Sequence, residues 1–302
     1  SSSDLATWLQ EKSEGEIQKD QVLRITLARL DAAVESVAGR KDLETWLNRL
    51  QGNQHVVVDV ESSQQLAALG QAIRDLVGIK RFLFRSAASL LTSLADMGPQ
   101  PLGTPAMVRL RRHNQSGSVL PGMVIVGSHV SLADLQLKRL LEAPECEGVV
   151  LPVARIARVI EGGAEGYLLP GLEQQWLHQL YQVLAKGKTP VLFTSRGELP
   201  FCSVNERMLF GTSLAKLMAR LAGSVVGELG YLISKGGITT NTFLKEGIGV
   251  EQLQLDGQLM PGLSMVRPLA DGPFKGLPIL TFPGNLGNPS TLFEAWRLMD
   301  SC

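Results

Sequence analysis

The chain of 302 residues balances 29 Lys+Arg against 29 Asp+Glu and is 44% hydrophobic and 19% charged. This neutral balance argues against a nucleic-acid binder, which needs a basic face or stripe, and no apolar run reaches the about 18 residues of a membrane span. The length favours two domains over one core; the polar, acidic start predicts no signal peptide, and three cysteines (Cys146, Cys202, Cys302) without CxxC spacing fit a reduced, cytoplasmic protein.

In chain order, HVVVDV (55–60) is the first predicted strand. Asp59 near its end reads either as a helix-capping acid or as a polar substrate contact. Leu66, Leu69, Ile73 and Leu76 then follow helical steps of three and four. RFLFRS (81–86) predicts a second strand with Arg85 and Ser86 at its end. An arginine there either clamps a carboxylate or phosphate with two parallel hydrogen bonds or pairs with a neighbouring acid. Residues 97–122 are rich in Gly, Pro and polar side chains and predict a domain junction, giving domains 1–104 and 105–302. The basic run RLRRHN (109–114) within that segment reads as solvated surface.

Downstream, GMVIVGS (122–128), GVVLPV (148–153), PVLFTS (190–195), GYLIS (230–234) and LPILTF (277–282) are continuous apolar runs. Strands buried on both faces of a parallel sheet have that composition. Between them, Leu172, Trp176, Leu180 and Val183, and then Phe210, Leu214, Leu217 and Leu221, keep helical spacing. The alternation predicts a two-domain α/β fold of mainly parallel sheets flanked by helices, the second domain being Rossmann-like. The sheet upstream of the junction is thin, with two expected strands.

Four histidines (His55, His113, His129, His178) form no metal-ligand spacing. YQVLAKGKTP (181–190) imitates a phosphate-binding GxxxxGK[ST] signature, but Gln182 stands where the first glycine belongs. The chain also enters a strand after Thr189, whereas a P-loop enters a helix. Three other junctions run from strand through glycine into helix: Gly127–Ser128, Gly236–Gly237, and Gly284–Asn285 with Gly287. In a parallel sheet such ends share one edge, where glycine admits close backbone approach and hydroxyls add donors to an anion. A ligand carrying phosphate is the expected guest.

VVVDVESSQQL (56–66), FLFRSAAS (82–89), VIVGSHVSLADLQL (124–137), TSRGE (194–198), SKGGITT (234–240), GQLMPGLSMV (257–266) and FPGNLG (282–287) resemble, in this order, the four-carbon acid sugar kinases. The resemblance implies an N-terminal α/β domain that binds the acid sugar and a C-terminal one that binds ATP across a cleft. It puts Ser128, Gly236, Gly237, Ile238, Thr239 and Gly284 on ATP-contact positions, and Arg85 and Ser86 on a segment reaching the substrate. The implied reaction is ATP-dependent phosphorylation of a hydroxyl of a tetronate or 2-oxo-tetronate, with Mg²⁺ held mainly by the phosphates. A sugar acid and ATP are the implied partners, with neither nucleic acid nor membrane, and a homodimer is compatible with this reading.

Three departures accompany the resemblance. The family's Asp-Asp-x-Thr-Gly-Ala segment near the acceptor hydroxyl does not occur in the sequence, so the general base is unassigned. Ala133 stands near a usual threonine, and Asn241 and Thr242 where relatives often have Ser and Asp. The serine start and thin sheet lead to the expectation that upstream sequence completes the substrate half. The alternatives are a non-catalytic nucleotide-binding regulator that kept the ATP loops, and a sugar-phosphate lyase or isomerase on a similar sheet.

Overall fold

The computed structural model describes residues 3–95, 100–161, 165–197, 199–269 and 271–301. They divide into two compact α/β units, Ser1–Pro99 and Gln100–Cys302. Residues 100–104 belong to the second unit because its main chain holds them. Leu102 N donates to Asp256 O at 2.9 Å, and Thr104 Oγ1 to Leu259 O at 3.0 Å.

The first unit has two short parallel strands, β1 (Leu23–Ile25) and β2 (Val56–Val58), with Leu23 opposite Val56. Helices Leu27–Glu35 and Val37–Arg49 connect them, each opened by a hydroxyl cap, Thr26 and Ser36. Helix Ser63–Arg74 starts with a reciprocal capping box between Ser62 and Gln65. It buries Leu69 and Ile73 against Ile25, Leu30, Leu43 and Leu47, as its periodicity requires.

RFLFRS does not form the expected strand: residues 81–87 have no regular structure, and Leu83 is fully exposed. No described strand offers it a partner, and apolar character cannot replace a neighbouring backbone that completes the ladder. The unit's second strand is instead β1, only three residues long and too short for its pattern to stand out.

The second unit is built on a seven-stranded sheet. Its strands are β3 (Gly122–Val126), β4 (Cys146–Leu151), β5 (Thr189–Thr194), β6 (Tyr231–Lys235), β7 (Leu253–Met260), β8 (Leu263–Pro268) and β9 (Ile279–Phe282). Their order is β4-β5-β3-β6-β9-β8-β7, with the first five parallel and the β7–β8 hairpin antiparallel. Every residue of β3 and of β6 is buried, which is why both read as continuous apolar runs.

Alternate residues of β3 serve opposite faces. Met123 and Ile125 meet helices Glu165–Ala185 and Val204–Ser224 through Trp176, Leu180 and Leu217. Val124 and Val126 meet helices Ser131–Leu141 and Thr291–Asp300 through Leu137, Leu140, Leu292 and Trp296.

The hairpin β7–β8 is absent from the sequence reading because a charged pair lies inside it. Asp256 is fully buried and accepts two bonds from Arg267, at 2.6 and 2.7 Å. The basic run 109–114 is likewise not solvated throughout. Arg111 is buried, donating to Leu120 O at 2.9 Å, pairing with Asp300 at 3.1 Å and lying over the Tyr231 ring. Arg112 donates to Val226 O at 3.0 Å. Both arginines are held by main-chain oxygens.

Candidate functional site

β3 and β6 lie side by side, parallel, with Val126 opposite Lys235. The connection from β3 leads to β4 at one edge of the sheet, and that from β6 leads to β7 at the other. Connections that diverge from adjacent parallel strands open a crevice outside their carboxyl ends, the usual ligand position in open α/β sheets. Ser128 and Gly236 stand at that crevice, and Gly284, after β9, lies beside it.

The three strand ends are stitched together by main-chain bonds. Gly127 N donates to Lys235 O at 3.2 Å, and Gly236 N to Phe282 O at 2.8 Å. The loops beyond them touch so closely that side chains on their glycines would collide. A Cβ on Gly127 would fall 2.2 Å from Thr239 Oγ1, and one on Gly284 2.8 Å from Ser128 Oγ. A Cβ on Gly236 would fall 3.0 Å from Thr239 Oγ1 and 3.5 Å from Ser128 N. The sequence-expected residues Ser128, Gly236, Thr239 and Gly284 are therefore in one place.

The two neighbouring glycines play different parts. Gly236 has φ +118°, a conformation L side chains rarely adopt, whereas a Cβ on Gly237 would meet open space. Helix Gly237–Thr242 begins at once, its first intrahelical bond running from Thr240 N to Gly236 O at 2.9 Å. The N–H groups of Gly237, Ile238 and Thr239 precede that bond and lack intrahelical acceptors. Thr239 is buried, while Ile238 is 77% exposed beside the crevice. Thr240 Oγ1 lies 2.8 Å from Ser234 Oγ and 2.9 Å from Gly236 O, bracing the turn. Asn285 is exposed. Gly287 answers a local need: its φ is +83°, and a Cβ would strike Thr291 Oγ1 at 2.4 Å.

Two basic side chains at this edge were missed by the sequence reading. Lys235, the last residue of β6, is fully buried and donates to Pro283 O and Gly284 O, both at 3.2 Å. Its Nζ lies 4.0 Å from the Phe282 ring centroid, and burial lowers its pKa to about 8. Arg196, just beyond β5, donates from Nη1 to Ser128 O at 2.8 Å. Its Nε is 3.1 Å from Asp134 Oδ1, an ion pair outside hydrogen-bond geometry, and its buried Nη2 has no hydrogen-bond partner among the described residues. Burial lowers the Arg196 pKa, and Asp134 opposes that shift. His129 Nε2 lies 2.8 Å from Thr194 Oγ1. Its pKa is lowered by burial first and by Arg196 second, against Asp134. A lysine closing an apolar strand and the arginine of TSRGE were the available signals.

In the first unit the expected residues lie apart from hydrogen-bond contact with one another. Asp59 is exposed and pairs at 3.9 Å with Arg24, which also pairs with Asp4. It does not cap the following helix, whose cap is Ser62. The Arg85 guanidinium lies over the Trp8 ring at 4.6 Å, and Ser86 is exposed. The imitation phosphate loop turns at Gly187, with φ +70°, into the amino end of β5, at the edge opposite the crevice. Among the described residues no group of three or more His, Cys, Asp or Glu could hold a metal, and no helix is long and apolar enough to cross a membrane.

Residues 123–292 match the nucleotide-binding C-terminal domain family, and residues 1–94 match the sugar-binding N-terminal domain family. No curated protein matches the chain. Among solved structures, it is similar to a protein described as a putative tRNA synthase from Salmonella typhimurium LT2. That similarity has 17% identity and a TM-score of 0.50, covering 91% of this chain and 59% of that one. It is also similar to a domain of unknown function from Bordetella bronchiseptica, crystallised with bound citrate as a domain-swapped dimer. There the identity is 18% and the TM-score 0.47, covering 92% of this chain and 58% of that one. The chain thus spans under three-fifths of the length of either structure. Both domain matches fall on the units described above, and the chain belongs to the four-carbon acid sugar kinase family.

Proposed function

We propose that the crevice at the carboxyl ends of β3, β6 and β9 binds ATP, and that the chain serves an ATP-dependent kinase acting on a hydroxyl of a four-carbon sugar acid. The observation that carries this reading is the meeting of three glycine loops around Ser128, with Gly284 leaving no room for a Cβ and Gly236 held at φ +118°. Such a cradle suits phosphate because backbone N–H groups can approach its oxygens without side-chain obstruction. Gly237, Ile238 and Thr239 supply N–H groups free of intrahelical bonds, and the Ser128 hydroxyl adds a donor. ATP, when bound, supplies the phosphoryl group. Its Mg²⁺ would be held mainly by the phosphates, as that ion commonly is, with few protein ligands.

In this reading the loops bind and orient the phosphates, and the surrounding dipoles offset their charge, which is most of what phosphoryl transfer requires of a protein. Asp59, Arg85 and Ser86 remain the proposed contacts of the acid sugar in the first unit, with Arg85 leaving Trp8 to meet the carboxylate. A cytoplasmic setting belongs to the same proposal.

The experiment is a thermal-shift titration of the chain with ATP·Mg²⁺. At about 100 times its Kd, a ligand that binds only the folded state stabilises by about 2.7 kcal/mol. No shift at millimolar ATP removes the nucleotide reading. A second reading, a regulator that binds ATP without transferring phosphate, is favoured by Arg85 being stacked on Trp8 instead of standing free. ATP binding without turnover of any tetronate would select it.

A further inference from the structure

Behind the crevice, the two overlooked cations do the same thing to two different loops. Arg196 reaches from β5 across to β3 and grips the carbonyl of Ser128 at 2.8 Å. Lys235 reaches from β6 across to β9 and grips the carbonyls of Pro283 and Gly284 at 3.2 Å. The gripped residues, Ser128 and Gly284, are the pair that meets at the crevice. A carbonyl turned toward a cation directs its lone pairs away from the space in front of the loop. An anion arriving there would be repelled by those lone pairs if they faced it.

Neither cation is matched in the usual way. Lys235 is fully buried and has no ion pair among the described residues; carbonyl dipoles and the face of Phe282 stand in for a counter-ion. Among the described residues Arg196 has one acid, Asp134, in poor alignment, and its buried Nη2 has no hydrogen-bond partner. Burying a charge without a full partner costs stability, so such a group usually persists where an arriving ligand supplies the opposite charge. Burial also depresses both pKa values, consistent with sites that gain from a nearby anion.

We propose that Arg196 and Lys235 are paired positioning residues that set the approach of Ser128 to Gly284 and supply the positive charge that makes the crevice select a polyphosphate chain. The inference rests on the nucleotide reading of this crevice and adds to it the part of the ligand being recognised. The cations act through the loops and through their field, which solvent screens less for buried charges than for exposed ones.

The test measures the affinities of AMP, ADP and ATP for the wild-type chain, Arg196→Met and Lys235→Met, with melting temperatures alongside. The expected result is a loss that grows with the number of phosphates: about ten- to hundredfold for ATP, less for ADP, and within about threefold for AMP. An equal loss for all three nucleotides would mean a general structural role and would overturn the proposal, as would unchanged ATP affinity. A wild-type chain that binds none of the three overturns the nucleotide reading together with this one. If a methionine variant does not fold, Arg196→Lys and Lys235→Gln provide the measurement. Arg196→Lys keeps the charge and should retain the preference for ATP over AMP. Lys235→Gln keeps a donor for the carbonyls but not the charge and should lose part of that preference. Conservative variants that leave it untouched in the second case, or abolish it in the first, also overturn the proposal.

Discussion

Ser128 Oγ lies 2.8 Å from the position that a Cβ on Gly284 would occupy, so these two residues set the width of the crevice between β3 and β9. Gly284→Ala should push the loops apart and weaken ATP binding by about tenfold or more. Removing the hydroxyl with Ser128→Ala in the same chain leaves Ser128 Cβ at 3.4 Å, a contact that small movements can absorb. The pair should therefore show a coupling of about 0.5–3 kcal/mol in a double-mutant cycle of melting free energies. Strict additivity would show that the loops move independently.

Gly236 and Gly237 should separate folding from binding. Gly236→Val forces a β-branched residue to φ +118° and against Thr239, so its main effect is a lower melting temperature. Gly237→Val meets open space in the folded protein and should keep its melting temperature within a few degrees. Its side chain would, however, occupy the space phosphate is proposed to fill, and ATP affinity should fall. Wild-type affinity in a folded Gly237→Val chain would take this loop out of the site.

Lys235 has a pKa of about 8 in the folded chain, below its ordinary 10.5, because burial disfavours the ammonium. Between those values the unfolded chain holds more protons at this residue than the folded one, so its contribution to stability rises with pH. Below pH 8 the folded chain bears the full cost of the buried charge. Lys235→Met removes that cost, so the variant's stability relative to wild type should be highest below pH 8. It should decline as pH rises toward 10.5. Paired denaturant titrations at pH 7 and pH 9.5 read the difference, and an opposite slope would contradict the burial argument.

Arg85 over Trp8 is a cation–π contact at a partly solvated position, which is commonly worth about 0.5–1 kcal/mol. A cycle of Arg85→Ala, Trp8→Ala and the double variant should show coupling of that order in thermal stability. If a tetronate added at saturating concentration abolishes the coupling, Arg85 has left the ring for the ligand. Coupling that persists with the ligand bound would assign the arginine to structure alone.

Most of the architecture was legible in the sequence because burial on both faces writes itself as unbroken apolar runs. GMVIVGS and GYLIS became β3 and β6, and Leu172, Trp176, Leu180 and Val183 became one face of a long helix, since chain composition and period suffice there. The glycine loops after β3, β6 and β9 were equally visible, and parallel topology alone brings their ends to a common edge.

Tertiary structure decided the rest, for reasons that no local pattern contains. RFLFRS has the apolarity of a strand, but pairing requires a neighbour, and none of the described strands is one. The hairpin β7–β8 hides a buried Asp256–Arg267 pair that reads as surface until both charges are seen to meet. Which glycine carries the positive φ, and which oxygens Lys235 and Arg196 grip, depend on loops distant in sequence closing against each other. Period and composition determine what a segment becomes; the contacts between strand ends far apart in the chain determine what the site can bind.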